Sequence, residues 1–302
     1  MTSTSPTDPS TLPSTGYLCG HWLPLQQMQL GVNDAGFRQG VTAVERMRTY
    51  SGAVFSQAAH LARWKESTAT LGIVGLPSTG EIKALIDELL QRNQSWFQLD
   101  GDLGITLFAT PGELGATKPT FGMHVNRLQL ERNEQRRQSG QPLVVSEVQQ
   151  PSPLSWPRGI KVRARIHYHL ADTFAKQQYQ DAVGILLDED GTITETSIAN
   201  LAIVSGGKVS SPPAERVLGG ITQSVTETLA EQAGLSWTKQ PISVAQLHAA
   251  DEVLMMGTDG GVWFVNEVDH VPIGGGQAGP VYLKIRDRFD ELVRPASGGS
   301  AK

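Results

Sequence analysis

The chain has 302 residues, 39% of them hydrophobic and 18% charged, with a formal net charge of −5. At roughly 150 residues per domain this suggests two globular domains, and it excludes an acidic disordered chain or a coiled coil. No apolar run reaches the roughly 18 residues of a membrane span, a mildly acidic chain without a basic block argues against nucleic acid as a partner, and a single cysteine, Cys19, allows no internal disulfide and no cysteine-based zinc site.

Residues 1–16 are rich in Ser, Thr and Pro, with no basic segment followed by an apolar one. They read as a disordered tail rather than a secretory signal, so a soluble cytoplasmic protein is expected. Strands are expected at 17–25 and 28–32, then a turn at Asn33–Gly36. A hairpin follows, with 43–50 and 53–55 joined by Ser51-Gly52. Ser56 reads as the cap of a helix over 57–70, and Thr79 as the cap of a helix over 81–93. In the latter, Ile82, Leu85, Ile86, Leu89 and Leu90 share one face. A strand is expected at 104–109, and the polar stretch 127–141, with charges of both signs, reads as a solvated loop or helix face. Three prolines within 149–159 resist helix and central strand alike, which places the domain linker there. A helix over 161–178 is expected next, then a β-meander from 183 to 211 with turns at Glu189-Asp190-Gly191 and Ser205-Gly206-Gly207. A helix over 222–233 ending at Gly234, strands at 253–257 and 262–268, and a helix over 280–294 complete the chain. The fold class is mixed α/β (α+β) in two domains. An N-terminal domain of sheet and helices covers 17–148, and a β-rich, barrel-like domain with helices covers 160–302.

Few residues stand out chemically. Lys161 is a surface lysine or, if buried near another cation, a nucleophilic amine able to form a Schiff base with a carbonyl. Leu218-Gly219-Gly220-Ile221-Thr222 runs into a helix. It is either an ordinary Gly-rich turn or an anion site made of first-turn amides and a threonine hydroxyl. Glu195, at a strand end, is an edge charge or the partner of a protonated ring nitrogen. Thr258 is a second candidate hydroxyl. The Gly274–Gly279 stretch fits GxGxxG in form only, because too little chain follows for a βαβ unit. His167 and His169 are two apart and would point to different faces of a helix, which argues against a metal pair.

Taken in order, these pieces resemble the class IV pyridoxal-phosphate aminotransferases of fold type IV, among them branched-chain and D-amino-acid aminotransferases and aminodeoxychorismate lyases. Asp34-Ala35-Gly36-Phe37 through Gly40, Glu45 and Arg48 resembles a D-R-G-F…G…E-x-x-R block, and His60-Leu61-Ala62-Arg63 resembles H-x-x-R. Gly159-Ile160-Lys161 is similar to the segment that carries the Schiff-base lysine. Asp190 through Glu195 and Asn200 resembles D-G-x-V-T-E…N, Leu218 through Thr222 resembles L-x-G-I-T, and Ala250-Asp251-Glu252-Val253 through Thr258 resembles A-D-E-V…G-T. The resemblance implies pyridoxal 5'-phosphate (PLP) as cofactor, bound covalently at Lys161, with Glu195 on the pyridine nitrogen. It implies Arg63, the Gly220-Ile221-Thr222 amides and Thr258 on the phosphate, and Leu218 against the ring. It also implies a homodimer acting on an amino donor and a keto acid.

The departures lie on the substrate side. The family's arginine after the early Asp is Ala35, Lys161 is followed by Val-Arg-Ala-Arg, and Thr258 by Asp-Gly-Gly-Val-Trp-Phe. An inward-facing Asp259 would repel a substrate carboxylate. Arg165, one helical turn beyond Lys161 if the helix starts there, is a candidate to grip one, and Glu45 is a further substrate candidate. Glu45 also favours a transaminase over a lyase, because aminodeoxychorismate lyases tend to carry Thr at that place. An elimination enzyme of the lyase type and a non-catalytic relative of the fold are the alternatives.

Overall fold

The structure is a computed structural model that describes residues 14–294. Most of the expected tail, 1–13, lies outside the described residues. Its last residues do not belong to a tail: Ser14 is buried, and Thr15 and Gly16 open the first strand. The chain divides into two units, one of Met1–Leu128 with Lys161–Ala164, the other of Gln129–Ile160 with Arg165–Lys302.

The first unit opens with β1 (Thr15–Leu18) and β2 (His21–Pro24). Cys19 and Gly20 take φ of 48° and 94° between them, so the expected single strand 17–25 is a hairpin instead. No strand forms over 28–32. After α1 (Ala35–Arg38), capped by Asp34, come β3 (Ala43–Tyr50) and β4 (Ala53–Val54), the second hairpin, which turns at Ser51-Gly52 as expected. Next are α2 (Gln57–Thr70), α3 (Thr79–Arg92), α4 (Gln94–Asp100), β5 (Leu103–Thr110) and β6 (Thr120–Arg127). The cap of α3 is Ser78, not Thr79. Its side chain accepts from the Glu81 amide while Glu81 reaches back to the Ser78 amide. Ile82, Ile86 and Leu89 of α3 are buried with Leu61 and Trp64 of α2 in the core of this unit, together with Met47, Leu103, Ile105 and Leu107. The sheet order is β2-β1-β6-β5-β3-β4.

The second unit holds α5 (Leu130–Ser139), β7 (Pro142–Gln149), α6 (Ile166–Gln178), β8 (Val183–Leu187), β9 (Ile193–Thr196), β10 (Asn200–Ser205) and β11 (Lys208–Ser211). These are followed by α7 (Ile221–Gln232), β12 (Trp237–Lys239), α8 (Val244–His248), β13 (Glu252–Gly257), β14 (Gly261–Phe264), β15 (Glu267–Val268), β16 (Val271–Pro272) and α9 (Pro280–Val293). The strands run β12-β11-β10-β9-β8-β7-β15-β16, and the sheet branches where β13 pairs with β10 and carries β14. Leu143, Ile185, Leu201, Val253, Met255 and Trp263 lie in its core.

Two expectations change here. The division between units falls after Leu128 rather than at 149–159, because β7 pairs with β8 and β15 and so belongs with the second unit. The helix expected from 161 starts at Ile166, because residues 161–163 give their backbone groups to β3. The Val44 amide donates to the Lys161 carbonyl, the Arg163 amide to Thr42, and Val162 bridges Ala43.

Candidate active site

In the second unit the turn before β9 is set locally. The side chain of Asp190 accepts from the Thr192 amide and hydroxyl at 3.1 and 2.6 Å, and Gly191 takes φ 78°. This delivers Glu195 to the end of β9, where it is 4% exposed. A buried carboxylate must recover its hydration from protein donors, and at least four converge on it. Its Oε1 accepts from Gln150 Nε2 at 3.0 Å, the Tyr168 hydroxyl at 2.7 Å and the Leu218 amide at 3.2 Å, while Oε2 accepts from Asn200 Nδ2 at 3.0 Å. Asn200 stands directly opposite Glu195 on β10, and its Nδ2 also donates to the Leu218 carbonyl at 3.0 Å.

That amide therefore ties Glu195 to the segment leading into α7. A Cβ on Gly220 would stand 1.9 Å from Asn200 Oδ1, so any side chain there would have to displace the Asn200 amide. Gly220 is the cap residue of α7, and no side chain caps the helix, whereas α3 and α8 both carry full capping boxes. The first-turn amides of Ile221 and Thr222 and the helix dipole thus suit an anion. Thr222 is buried and Leu218 half-buried. On the far side of β10, Met256 pairs with Asn200, so Gly257 and Thr258 follow at the same end of the sheet. An anion cradle beside a carboxylate ringed by donors fits a phosphate-bearing pyridine cofactor.

Two expected substrate residues of this unit are otherwise engaged. Arg165 is not on a helical turn with Lys161. Its guanidinium lies 4.2 Å from the centre of the Tyr168 ring and donates to the Ser197 carbonyl. Asp259 sits in the half-exposed turn between β13 and β14, where its carbonyl accepts from Asn133 of α5 at 2.8 Å. Its charge acts on Arg136: burial and neighbouring Arg132 push Arg136 down to about 10, against Asp181 and Asp259.

In the first unit Glu45, fully buried on β3, accepts from Arg63 Nε at 3.0 Å and Nη2 at 2.6 Å. It also meets His60 Nδ1 at 2.9 Å and accepts from the Arg46 amide at 2.9 Å. His60 and Arg63 are one turn apart on α2 and so face β3 together. Burial raises the Glu45 pKa, but the His60 hydrogen bond and the Arg63 charge outweigh it and hold the carboxyl at about 2. Burial lowers His60, helped by the Arg63 and Lys161 charges and opposed by Glu45. Glu45 is thus spent on Arg63 and His60 rather than offered to a substrate. Lys161 is half-buried beside this cluster. Its amide donates to Ser67 Oγ of α2 at 3.0 Å and its carbonyl accepts from β3, which clamps its backbone on both sides.

Tyr168 and Gln150 carried no signal in the sequence, and Arg136, read only as one charge of the solvated stretch 127–141, is half-buried. Among the described residues no group of three or more His, Cys, Asp or Glu is placed to hold a metal ion, and no helix is long and apolar enough to cross a membrane.

Residues 42–268 match the family model of amino-transferase class IV. Over 282 residues the chain is 27% identical to branched-chain-amino-acid aminotransferase-like protein 2 of Arabidopsis thaliana, an alignment covering 90% of this chain and 49% of that protein. The chain thus spans about half the length of that relative. It is 26% identical over 283 residues to the D-alanine aminotransferase of Bacillus licheniformis, covering 91% of this chain and 95% of the other. Two solved structures share the fold. The branched-chain amino acid aminotransferase of Thermobaculum terrenum, in its PLP form, aligns at a TM-score of 0.81 and 19% identity, covering 93% of this chain and 94% of that one. The Escherichia coli branched-chain amino acid aminotransferase aligns at 0.77 and 22% identity, over 95% and 98% of the two chains. The sheets, the uncapped helix and the donor-ringed carboxylate described above occur in a chain that belongs to the class IV aminotransferase family.

Proposed function

We propose that this chain is a PLP-dependent transaminase that moves an amino group between an amino acid or amine and a keto acid. The observation that carries the reading is the linked pair in the second unit: a buried Glu195 held by four donors, tied through Asn200 to the uncapped start of α7. When bound, PLP supplies an aldehyde for covalent attachment and a ring that draws electron density from the reacting carbon. Lys161 Nζ is the attaching amine and, once displaced, the proton carrier. Glu195 holds the ring N–H. The amides of Ile221 and Thr222, the Thr258 hydroxyl and Arg63 bind the phosphate, with Glu45 orienting Arg63. Leu218 packs against the ring. The family resemblance further supports a homodimer. The altered turn after Thr258 supports a substrate other than a branched-chain amino acid, because Asp259 stands where the family's common sequence is uncharged.

The test is the visible absorbance of the purified protein with PLP, before and after a mixture of amino donors. A band that forms, shifts on adding donors and is absent in Lys161→Ala is the expected result. An unchanged band in Lys161→Ala overturns the role of Lys161. Pyruvate released from a donor without any keto acid acceptor points to the elimination chemistry instead.

A further inference from the structure

Two of the four donors on Glu195 described above, Asn200 and the Leu218 amide, lie in segments that the family resemblance already accounts for. The other two, Tyr168 and Gln150, do not. Tyr168 is in the first turn of α6 and reaches across to Glu195 Oε1 at 2.7 Å. Gln150 Nε2 donates both to the Tyr168 oxygen, at 3.3 Å, and to the same Oε1, at 3.0 Å. The phenol oxygen thus accepts from Gln150 and passes its own hydrogen to the carboxylate, which closes a ring of three side chains. Burial, and then the Glu195 charge, push the Tyr168 hydroxyl well above its ordinary range, so it stays a donor. The tyrosine ring is held as well. The Arg165 guanidinium covers it at 4.2 Å and is itself anchored on the Ser197 carbonyl, two residues beyond Glu195. The His167 ring lies 4.2 Å from it, centre to centre.

Such a shell restricts rotation of the carboxylate more than burial alone does. A hydrogen bond from a ring N–H is directional, so the plane of the carboxylate decides how well it is met. We propose that Tyr168 is a positioning residue for the transamination: its hydroxyl, braced by Gln150 and Arg165, fixes Glu195 in the orientation that meets the cofactor's ring nitrogen. This rests on the cofactor reading given above. It also gives Arg165 a part in the chemistry through Tyr168 rather than through the substrate.

The test is Tyr168→Phe, which keeps the ring and its stacking and removes only the hydroxyl. In the protein without PLP, the carboxylate infrared band of Glu195, identified as the band lost in Glu195→Gln, is expected to shift. With PLP bound, the visible maximum is expected to move. The value of kcat should fall about tenfold, as for one lost hydrogen bond to a charged group, with KM for the donor little changed. A purely structural role would lower the melting temperature and leave both spectra as in the wild type, and that result overturns the proposal. So does a shifted infrared band with wild-type visible spectrum and kcat. If Tyr168→Phe does not fold, Arg165→Lys, which keeps the positive charge but removes the planar guanidinium that braces the Tyr168 ring, must shift the infrared band, and an unmoved band there is equally fatal. A wild-type protein that gains no visible band with PLP condemns the cofactor reading, while the infrared comparison still decides whether the phenol holds Glu195.

Discussion

A buried carboxylate keeps its charge only when neighbours replace the water it has lost. Glu45 is the clearest case in this chain, with Arg63 bound in a two-point grip and His60 beside it. Its pKa falls from 4.5 to about 2 on folding. A carboxyl whose folded value is depressed contributes stability that is complete above its unfolded pKa and is lost as pH falls through the folded one. The window for Glu45 is therefore about pH 4.5 down to about 2, and the amount is on the order of 3 kcal/mol. In Glu45→Gln the Arg63 guanidinium stays buried without its counter-charge, which costs about 3–5 kcal/mol at neutral pH. Urea unfolding of the two proteins at pH 7, 4 and 3 measures this. The gap between them should be widest at pH 7 and narrow as the solution is acidified, and a constant gap would show that Glu45 gains nothing from its charge. The sequence marked Glu45, His60 and Arg63 as members of family blocks, but not as each other's partners. Their contact is made by a strand and a helix that meet through the core, and no local pattern records that.

The same distinction between local and long-range signals holds for whole elements. The helices 57–70 and 280–294 and the hairpins at Ser51-Gly52 and Gly206-Gly207 were legible because periodicity and turn residues are written in adjacent positions. The helix expected from Lys161 failed because β3, far upstream, captures residues 161–163. The start of α7 was legible only in part. Glycines before a helix announce a close approach but not what is approached. The structure identifies it as Asn200, whose side chain would meet a Cβ on Gly220 at 1.9 Å, while nothing stands within 4 Å of one on Gly219. Gly220→Ala must therefore swing Asn200 away from Glu195 and the Leu218 carbonyl and crowd the anion cradle. Titration with PLP followed by absorbance should show the dissociation constant raised about tenfold or more in Gly220→Ala, the scale of one lost charged hydrogen bond. In Gly219→Ala it should change little. Equal effects at the two glycines would mean that flexibility of the turn, rather than the Asn200 contact, is what the site needs.

On the scale of the whole molecule, the proline-rich stretch correctly announced a break in regular structure but not the boundary between units. Prolines report which backbone groups cannot join a ladder. They do not report which ladder the flanking residues join. β7, before the break, pairs with β8 and β15 of the second unit, and residues 161–163, after it, pair with β3 of the first. The chain therefore crosses between the units three times, and this has a consequence for cleavage. Leu154 is 95% exposed in a segment without helix or strand, the kind of place where proteases cut first. A nick there leaves an N-terminal fragment that holds β7 and a C-terminal fragment that holds both β8 and residues 161–164. Each unit then contains backbone hydrogen bonds joining the two fragments: β7 to β8 in one, β3 to residues 161–163 in the other. Limited proteolysis after Leu154 is expected to give two bands on a denaturing gel and one co-eluting species on native size exclusion, separated only by denaturant. Fragments that part in native buffer would show that these pairings do not hold the fragments together and that the interleaving of the chain is dispensable.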